Sequence, residues 1–379
     1  MNRLMQQEQL DVPLEGTLSI RGQFRDMVGM EFIEGLHDTL RFEREGALPV
    51  YNAAGRNYYV ALPKPIGMFD SLQVAGGGNY DMGIRSNDVP NGIVTFDVDG
   101  DSKIAPPSDS ADIFTSTTTY YEDGKLVHKE NSNPVGSYSS VSAERKISNA
   151  VKIGDLLADT DSNVVVPIQI GKFEYAAKDQ NGDPQVAILM LTPNMGKRLG
   201  EVTLLPLQHA IGYPETPPER LAKLTRRHAE QQVQPRLEVV GAGIAEIHKV
   251  NINHNQLTGH NVDALIMSNG STAPYITDWD TMTTPIEDDK TRSQALDVLV
   301  AIRSLSGVPL ELLKKDMIDM DLTAELIARN AIGIIGGYIK AMGKPLPATL
   351  SRQSVFEIAL EDTSTNRSLD VLVDILDRG

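Results

Sequence analysis

The period of the hydrophobic pattern changes along the chain, and this change limits the folds that are open to it. Over the first ~280 residues, short apolar alternations lie between turn signals, which is typical of strands and hairpins. From Thr291 onwards the apolar residues recur at helical spacing. The sequence therefore predicts an α+β fold, with antiparallel hairpins in a sandwich or barrel-like N-terminal part and a helical C-terminal region.

Three regions are predicted from this pattern. Residues 1–145 are expected to be β-rich with a polar arm and polar loops, and residues 146–285 to be a second β-rich region. The second region contains one inserted helix at 216–233, where Thr216, Pro217 and Glu219 provide a capping box. Residues 286–379 are expected to form the helical C-terminal region.

Two hairpins have the clearest signals. The first is predicted from Ile113 to Glu130, with a tight turn at Asp123-Gly124. The second is predicted from Val164 to Leu191, with its turn at Asn181-Gly182. The apolar residues of its first strand change parity at Gly171, so a bulge is expected there.

Weaker alternations predict seven further strands, among them those at 31–42, 202–207 and 237–252. The last of these contains Val239–Glu246, which partly matches a dinucleotide-binding fingerprint. That fingerprint needs a small residue where this chain has Glu246, whose carboxylate would repel phosphate. A glycine-containing strand or bulge is therefore the preferred interpretation.

Short apolar helices are predicted in the C-terminal region, with one longer helix over 327–342. This helix contains Gly333, Gly336 and Gly337, each of which costs about 1 kcal/mol of helix stability relative to Ala. Close approach of another element is the usual compensation, and packing within the chain is favoured over packing between chains.

The charge and the cysteine count exclude several classes of protein. The chain has 35 Lys and Arg against 51 Asp and Glu, a net charge of −16, which argues against general polyanion binding and against an anionic membrane surface. The chain has no cysteine, so disulfides, thiolate metal sites and a cysteine nucleophile are excluded. The polar N-terminus predicts no signal peptide, and no apolar run predicts a membrane span. We therefore expect a protein made in the cytoplasm.

One acidic run is a candidate calcium site. Asp97, Asp99 and Asp101 place three carboxylates at alternate positions, as in the first half of an EF-hand loop. The positions that would need Gly and a bidentate Glu are Ser102 and Ser108. A turn whose side chains bond their own backbone is the alternative, and no other cofactor is predicted.

Three histidines and one aspartate form a second metal candidate. His248 and His254 would share a face if the segment were extended, and His260 and Asp263 could complete a zinc or non-haem site. The alternative is a set of polar positions on a half-solvated strand and loop. No nucleophile elbow, P-loop, HxH metal run or kinase signature appears in the sequence.

The helix after Pro218 carries the only local basic patch that the sequence shows. Arg220, Lys223 and Arg227 share one helical face. They could contact nucleic acid, but in so acidic a chain a salt-bridge surface against another subunit is favoured.

Three functions remain open at this point. The first is a self-assembling structural protein, most concretely a capsid or tail-associated component of a bacteriophage or virus-like particle, with its own copies and other assembly proteins as partners. This hypothesis rests on hydroxyl-rich strands, polar arms and the lack of a catalytic signature, and it implies a place in the virion. The second is a metal-dependent hydrolase or another enzyme that uses His248 to Asp263. The third is a nucleic-acid-associated binding module that uses the basic helix at 219–232.

Overall fold

The computed structural model describes residues 4–7, 10–54, 57–80, 103–107, 113–134, 136–193, 198–213, 215–267, 269–347, 350–359 and 365–378. The strands are, in chain order, β1 (Leu4–Gln7), β2 (Gly16–Ile20), β3 (Val50–Ala54), β4 (Asn57–Ile66), β5 (Phe69–Ala75), β6 (Asn79–Tyr80), β7 (Lys103–Ala105), β8 (Ile113–Glu122), β9 (Lys125–Pro134), β10 (Tyr138–Ser139), β11 (Ile168–Lys178), β12 (Pro184–Thr192), β13 (Val262–Ile266) and β14 (Thr272–Ile276).

The α-helices are α1 (Gly22–Val28), α2 (Met30–Leu40), α3 (Ser140–Ala158), α4 (Leu199–Gly212), α5 (Pro218–His228), α6 (Gln234–Lys249), α7 (Lys290–Lys314), α8 (Met320–Ala341), α9 (Arg352–Ala359) and α10 (Thr365–Arg378). A π-helical segment, Ala229–Val233, joins α5 to α6, and short 3₁₀ turns lie at Trp279–Thr281 and Glu287–Asp289.

The N-terminal part is built on one ten-stranded, mostly antiparallel sheet. Its strand order is β2-β11-β12-β5-β4-β3-β1-β7-β6, and β10 also pairs with β12. The hairpins β8–β9 and β13–β14 form two separate two-stranded sheets. This sheet and the C-terminal helices confirm the predicted α+β class.

Both predicted hairpins are present. In β8–β9 the turn residues Asp123 and Gly124 have φ values of 49° and 71°, as a tight turn requires. In β11–β12 the register shifts between Gln169 and Gly171, which is the expected bulge. A Cβ on Gly171 would lie 2.4 Å from the Ser19 carbonyl oxygen of β2, so glycine allows the neighbouring strand to approach.

Three of the weaker strand predictions are wrong. Residues 30–40, 199–212 and 234–249 are the helices α2, α4 and α6. In α2 the buried side chains Phe32, Leu36 and Leu40 recur every four residues, so they share one helical face. The region 146–285 is therefore richer in helix than the β-rich description implied.

Two large hydrophobic clusters organise the molecule. One lies on the sheet and α2, and it includes Leu72 and Phe173. The other joins α3, α6, α7, α8, α9 and α10, and runs from Ile153 to Leu376. The second cluster crosses the predicted boundary at 285, and the three-region division stays a prediction.

The hairpin β13–β14 connects the two clusters. Tyr275 and Leu265 belong to the cluster on the sheet, whereas Val262 and Ile276 belong to the helical cluster. Val165 extends this connection, because its N–H donates to the Pro274 carbonyl at 2.8 Å. The described helices include none with the length and hydropathy of a membrane span.

Candidate functional site

A loop between α6 and β13, residues 250–261, is held by a buried carboxylate from α7. The backbone N–H groups of His254 and Asn255 each donate to Asp297 at 2.6 Å, one to each carboxylate oxygen. Asn255 has a φ of 66°, which turns the chain so that consecutive N–H groups can face one acceptor. Because Asp297 is fully buried, these charge-assisted bonds fix the loop on the core.

His248 is a structural side chain on α6. Its Nε2 lies 3.2 Å from Asp297 Oδ2, and its Nδ1 lies 3.0 Å from the Tyr338 hydroxyl of α8. Burial raises the pKa of Tyr338, and the Asp297 charge adds to the effect, so the hydroxyl keeps its proton and can donate to Nδ1. His248 therefore donates to Asp297 from Nε2 and joins α6, α7 and α8.

His254 ties the loop to the chain that follows β14. Its Nε2 donates to the Thr277 carbonyl oxygen at 2.7 Å, and its Nδ1 accepts from the Gln256 N–H at 3.2 Å. Its ring meets Trp279 edge to face, with the centroids 4.7 Å apart. These contacts place the loop beside the segment 277–280.

The other end of the loop is closed by Asn261. Its side-chain amide donates to the Gln256 carbonyl oxygen at 2.8 Å. Its own carbonyl oxygen accepts from the Thr277 N–H at 2.9 Å. Asn261 is therefore bonded to the residue directly before Asp278, although the hairpin β13–β14 separates the two in the sequence.

Asp278 faces the N-terminal part of the molecule. It adopts a left-handed backbone with φ 68°, and its Oδ1 accepts from the ammonium of Lys146 on α3. The same ammonium lies 3.0 Å from the Tyr138 hydroxyl. α3 is also bound to this segment by Asn149, whose amide donates to the Trp279 carbonyl oxygen at 2.8 Å.

Lys146 is charged although only 3% of it is exposed. Burial alone lowers its pKa, but the carboxylate of Asp278, with smaller effects from Tyr138 and Asp280, outweighs burial and raises the pKa above its ordinary value. A buried cation opposite a carboxylate thus lies where α3 meets the segment that follows β14.

The predicted metal ligands at 248–263 do not converge. His248 and His254 are engaged as described, and Asp263 accepts from the Arg236 guanidinium at 2.7 Å. Burial raises the pKa of Asp263, while Arg236 opposes that shift. Among the described residues, which include His260, no group of three or more His, Asp or Glu side chains could hold a metal ion. The extended segment that this hypothesis assumed is instead helix up to Lys249.

The remaining candidates are scattered. Asp97, Asp99 and Asp101 lie outside the described residues. The basic patch Arg220, Lys223 and Arg227 is exposed on α5, and the Arg227 Nε donates to Gln231 at 3.2 Å.

The three glycines of α8 have different surroundings. A Cβ on Gly337 would lie 2.1 Å from the Glu238 carbonyl oxygen of α6, and one on Gly333 would lie 2.8 Å from Leu237 Cβ. A Cβ on Gly336 would meet only Leu346, at 3.9 Å. Gly333 and Gly337 therefore face α6, with which α8 packs closely.

Sequence reasoning selected the loop that contains His254, but it did not select Lys146, Asp278 or Asp297. The spacing from His254 to Asn261, followed by a short hairpin and an aspartate, was the available signal. No local sequence signal marked Lys146 or Asp297, because only the tertiary fold brings α3 and α7 to this loop.

No protein-family model matches the chain, and no curated protein matches it in sequence. Among solved structures, the aerobactin synthetase IucA from a hypervirulent Klebsiella pneumoniae is similar with a TM-score of 0.31 and 10% identity, over 54% of this chain and 43% of that one. The chain therefore spans less than half of the synthetase.

Two further structures cover more of the chain. A glucosamine kinase has a TM-score of 0.27 and 13% identity, over 87% of this chain and 88% of that one. ROP2 from Toxoplasma gondii, described as a virulence factor with a protein-kinase fold and no enzymatic activity, has a TM-score of 0.31 and 11% identity, over 93% and 92%. All three TM-scores are too low to establish a shared fold.

Proposed function

We propose that the place where α3 meets the loop 250–261 and Asp278 binds a nucleoside triphosphate in the manner of a protein kinase, and that the chain transfers phosphate poorly. Protein kinases carry a catalytic loop with the pattern H-R-D-x-x-x-x-N, followed by an aspartate that binds the metal. His254, Gln256 and Asn261 have this spacing, and Asp278 follows the next hairpin. The juxtaposition of Asn261 and Asp278 is the observation that carries the proposal.

The side chains present suit a triphosphate and its divalent cation. Magnesium is usually bound through one or two carboxylates together with the phosphates, so a small set of protein oxygens suffices. Asn261 and Asp278 would hold this cation, which when bound neutralises phosphate charge. Lys146 would contact the phosphates, because its ammonium is the buried cation beside Asp278.

Gln256 is the reason to expect weak transfer. In kinases the aspartate at this position accepts the proton of the acceptor hydroxyl. The side-chain amide of Gln256 does not take up a proton near neutral pH, and a positioned general base contributes roughly 10²–10⁴-fold to a rate. Binding, with regulation by the bound nucleotide, is therefore the proposed role.

Thermal unfolding of the whole protein with and without MgATP tests this proposal. A ligand at 100 times its Kd stabilises a protein by about 2.7 kcal/mol, so millimolar ATP should raise the Tm clearly. Lys146→Met should reduce this shift, whereas Lys152→Met, at an exposed position of the same helix, should retain it. No Tm shift with ATP in the unmodified protein, together with no binding of a fluorescent ATP analogue, would refute nucleotide binding.

Self-assembly as a structural protein stays a second prediction. Its support is still the hydroxyl-rich strand surface and the polar arm noted in the sequence. Light scattering across a concentration series tests it, since a closed ring or concentration-driven growth is expected. A 41.4 kDa monomer at every concentration would contradict it.

A further inference from the structure

The hairpin β8–β9 stands apart from the main sheet and reaches the helical part of the molecule. Its strands pair from Ile113–Pro134 to Glu122–Lys125 and form a sheet of their own. Tyr121 and Leu126, near the turn, pack against the helical hydrophobic cluster. The hairpin therefore precedes α3 in the chain but ends on α7.

The tip of the hairpin is attached at the start of α7. The Gly124 N–H lies 3.2 Å from both carboxylate oxygens of Asp289, which is only 7% exposed. Asp289 occupies the N-cap position of α7, yet its side chain makes no capping bond to the helix. The guanidinium of Arg292 also lies 5.6 Å from the centre of the Tyr121 ring. The carboxylate of Asp289 thus accepts a hydrogen bond from the hairpin and does not cap the helix.

The middle of the hairpin contacts the candidate loop. Gln256 Nε2 donates to the Thr118 hydroxyl at 3.1 Å, and Thr118 is 3% exposed. Gln256 is the residue at the position where a kinase aspartate would meet the hydroxyl of its acceptor. The Thr118 hydroxyl therefore lies where an acceptor hydroxyl would lie.

The chain after Asp278 runs along the loop to the start of α7. Only residues 279–289 separate Asp278 from α7, and they contain two short 3₁₀ turns. Thr281 and Thr283 in this connection are bonded to Asn255, so it runs close to the loop.

We infer that β8–β9 is an intramolecular strap that covers the acceptor side of the proposed nucleotide site, with Thr118 in the place of an acceptor hydroxyl. This inference rests on the proposed function. The strap is fixed by its tip contact with Asp289 and by the bond between Thr118 and Gln256. Its release exposes Gln256 to a second polypeptide that presents a serine or threonine hydroxyl.

Asp289→Ala in the full chain tests the strap. Trypsin cleavage after Lys125 and Lys129, both exposed on the hairpin, reports its release, and hydrogen exchange at residues 256–262 reports exposure of the loop. Both rates should rise about tenfold or more, the scale expected for lost hydrogen bonds to a charged acceptor. Asp288→Ala, at the exposed neighbouring position, should leave both rates unchanged.

A second variant and a second readout keep the outcomes separate. Thr118→Val, which removes the hydroxyl alone, should raise exchange in the loop more than cleavage at the tip. If Asp289→Ala does not change the rate of trypsin cleavage, the strap is refuted, whether or not ATP binds. The strap is also refuted if cleavage becomes faster but hydrogen exchange in the loop stays unchanged. If the strap is released but no variant binds ATP, the nucleotide proposal is refuted instead.

Discussion

At the scale of single residues, the side chain of Gln256 has the clearest effect on the expected rate of phosphate transfer. Gln256→Asp restores a group that can accept a proton, so we expect ATP-dependent phosphate transfer or release to rise roughly 10²-fold or more. Gln256→Asn, which keeps the amide, is the matched control and should stay at the level of the unmodified protein. Radiolabelled ATP provides the measurement, and equal rates for both variants would contradict the role assigned to position 256.

His228 gives a prediction about pH. Burial lowers its pKa below the ordinary 6.5, although its bond to the Val202 carbonyl partly opposes this shift. Below pH 6.5 the folded state thus binds fewer protons than the unfolded state. The free energy of unfolding is therefore highest above pH 6.5 and decreases as the pH falls from 6.5 through the lower pKa of the folded state.

His228→Gln should therefore lose less stability than the unmodified protein between about pH 7.5 and pH 5.5. Urea unfolding at the two pH values measures the difference. His128→Gln, at an exposed position, is the control and should follow the unmodified protein. An equal loss in His228→Gln would show that other groups cause the acid sensitivity.

At the scale of elements, the contact between α6 and α8 depends on particular glycines. Gly337→Ala places a methyl group against the Glu238 carbonyl oxygen, and backbone atoms must move. We expect a loss of about 1–3 kcal/mol in the free energy of unfolding, since overpacking costs this much. Gly336→Ala has space for the methyl group and should gain up to about 1 kcal/mol from helix propensity.

Urea denaturation of both variants checks the contrast. If Gly337→Ala is as stable as the unmodified protein, the close approach of the two helices is absent in solution. The pair is informative because the two glycines are neighbours in one helix and differ in what they face.

The predictable elements were those with local signals. Both hairpins are marked by turns in which Gly and Asp or Asn allow positive φ, and the bulge by a parity change at Gly171. α6 was mistaken for a strand because it is buried on several sides, so Leu237, Val240 and Ile244 are accompanied by further apolar residues that hide the helical period.

The candidate site was less predictable for a different reason. His254 could be selected from the sequence, but its role depends on Thr277 and on Asp297, which lie on other elements. A metal set was inferred from proximity in the sequence, whereas the folded chain pairs each side chain with a distant partner. The tertiary contacts determine which side chains meet at the candidate site, and these contacts leave no local signal in the sequence.

At the scale of the whole molecule, the single tryptophan reports on the join between sheet and helices. Trp279 is buried: its ring contacts His254, and its backbone carbonyl oxygen accepts from Asn149 of α3. Because β13–β14 contributes to both hydrophobic clusters, we expect one cooperative transition. Tryptophan fluorescence and far-UV circular dichroism should then give the same unfolding midpoint. Separate midpoints would show that the sheet and the helices unfold independently.

The pair of Lys146 and Asp278 joins α3, which packs on β11 and β12 of the sheet as well as in the helical cluster, to the segment that follows β14. Any phosphate that binds Lys146 competes with this contact. The same ammonium group therefore affects both phosphate binding and the position of α3 relative to the segment that follows β14. Thermodynamic reciprocity then applies to any partner that moves α3 away from this segment. Such a partner changes the protein's affinity for phosphate by the same factor by which phosphate changes the protein's affinity for the partner.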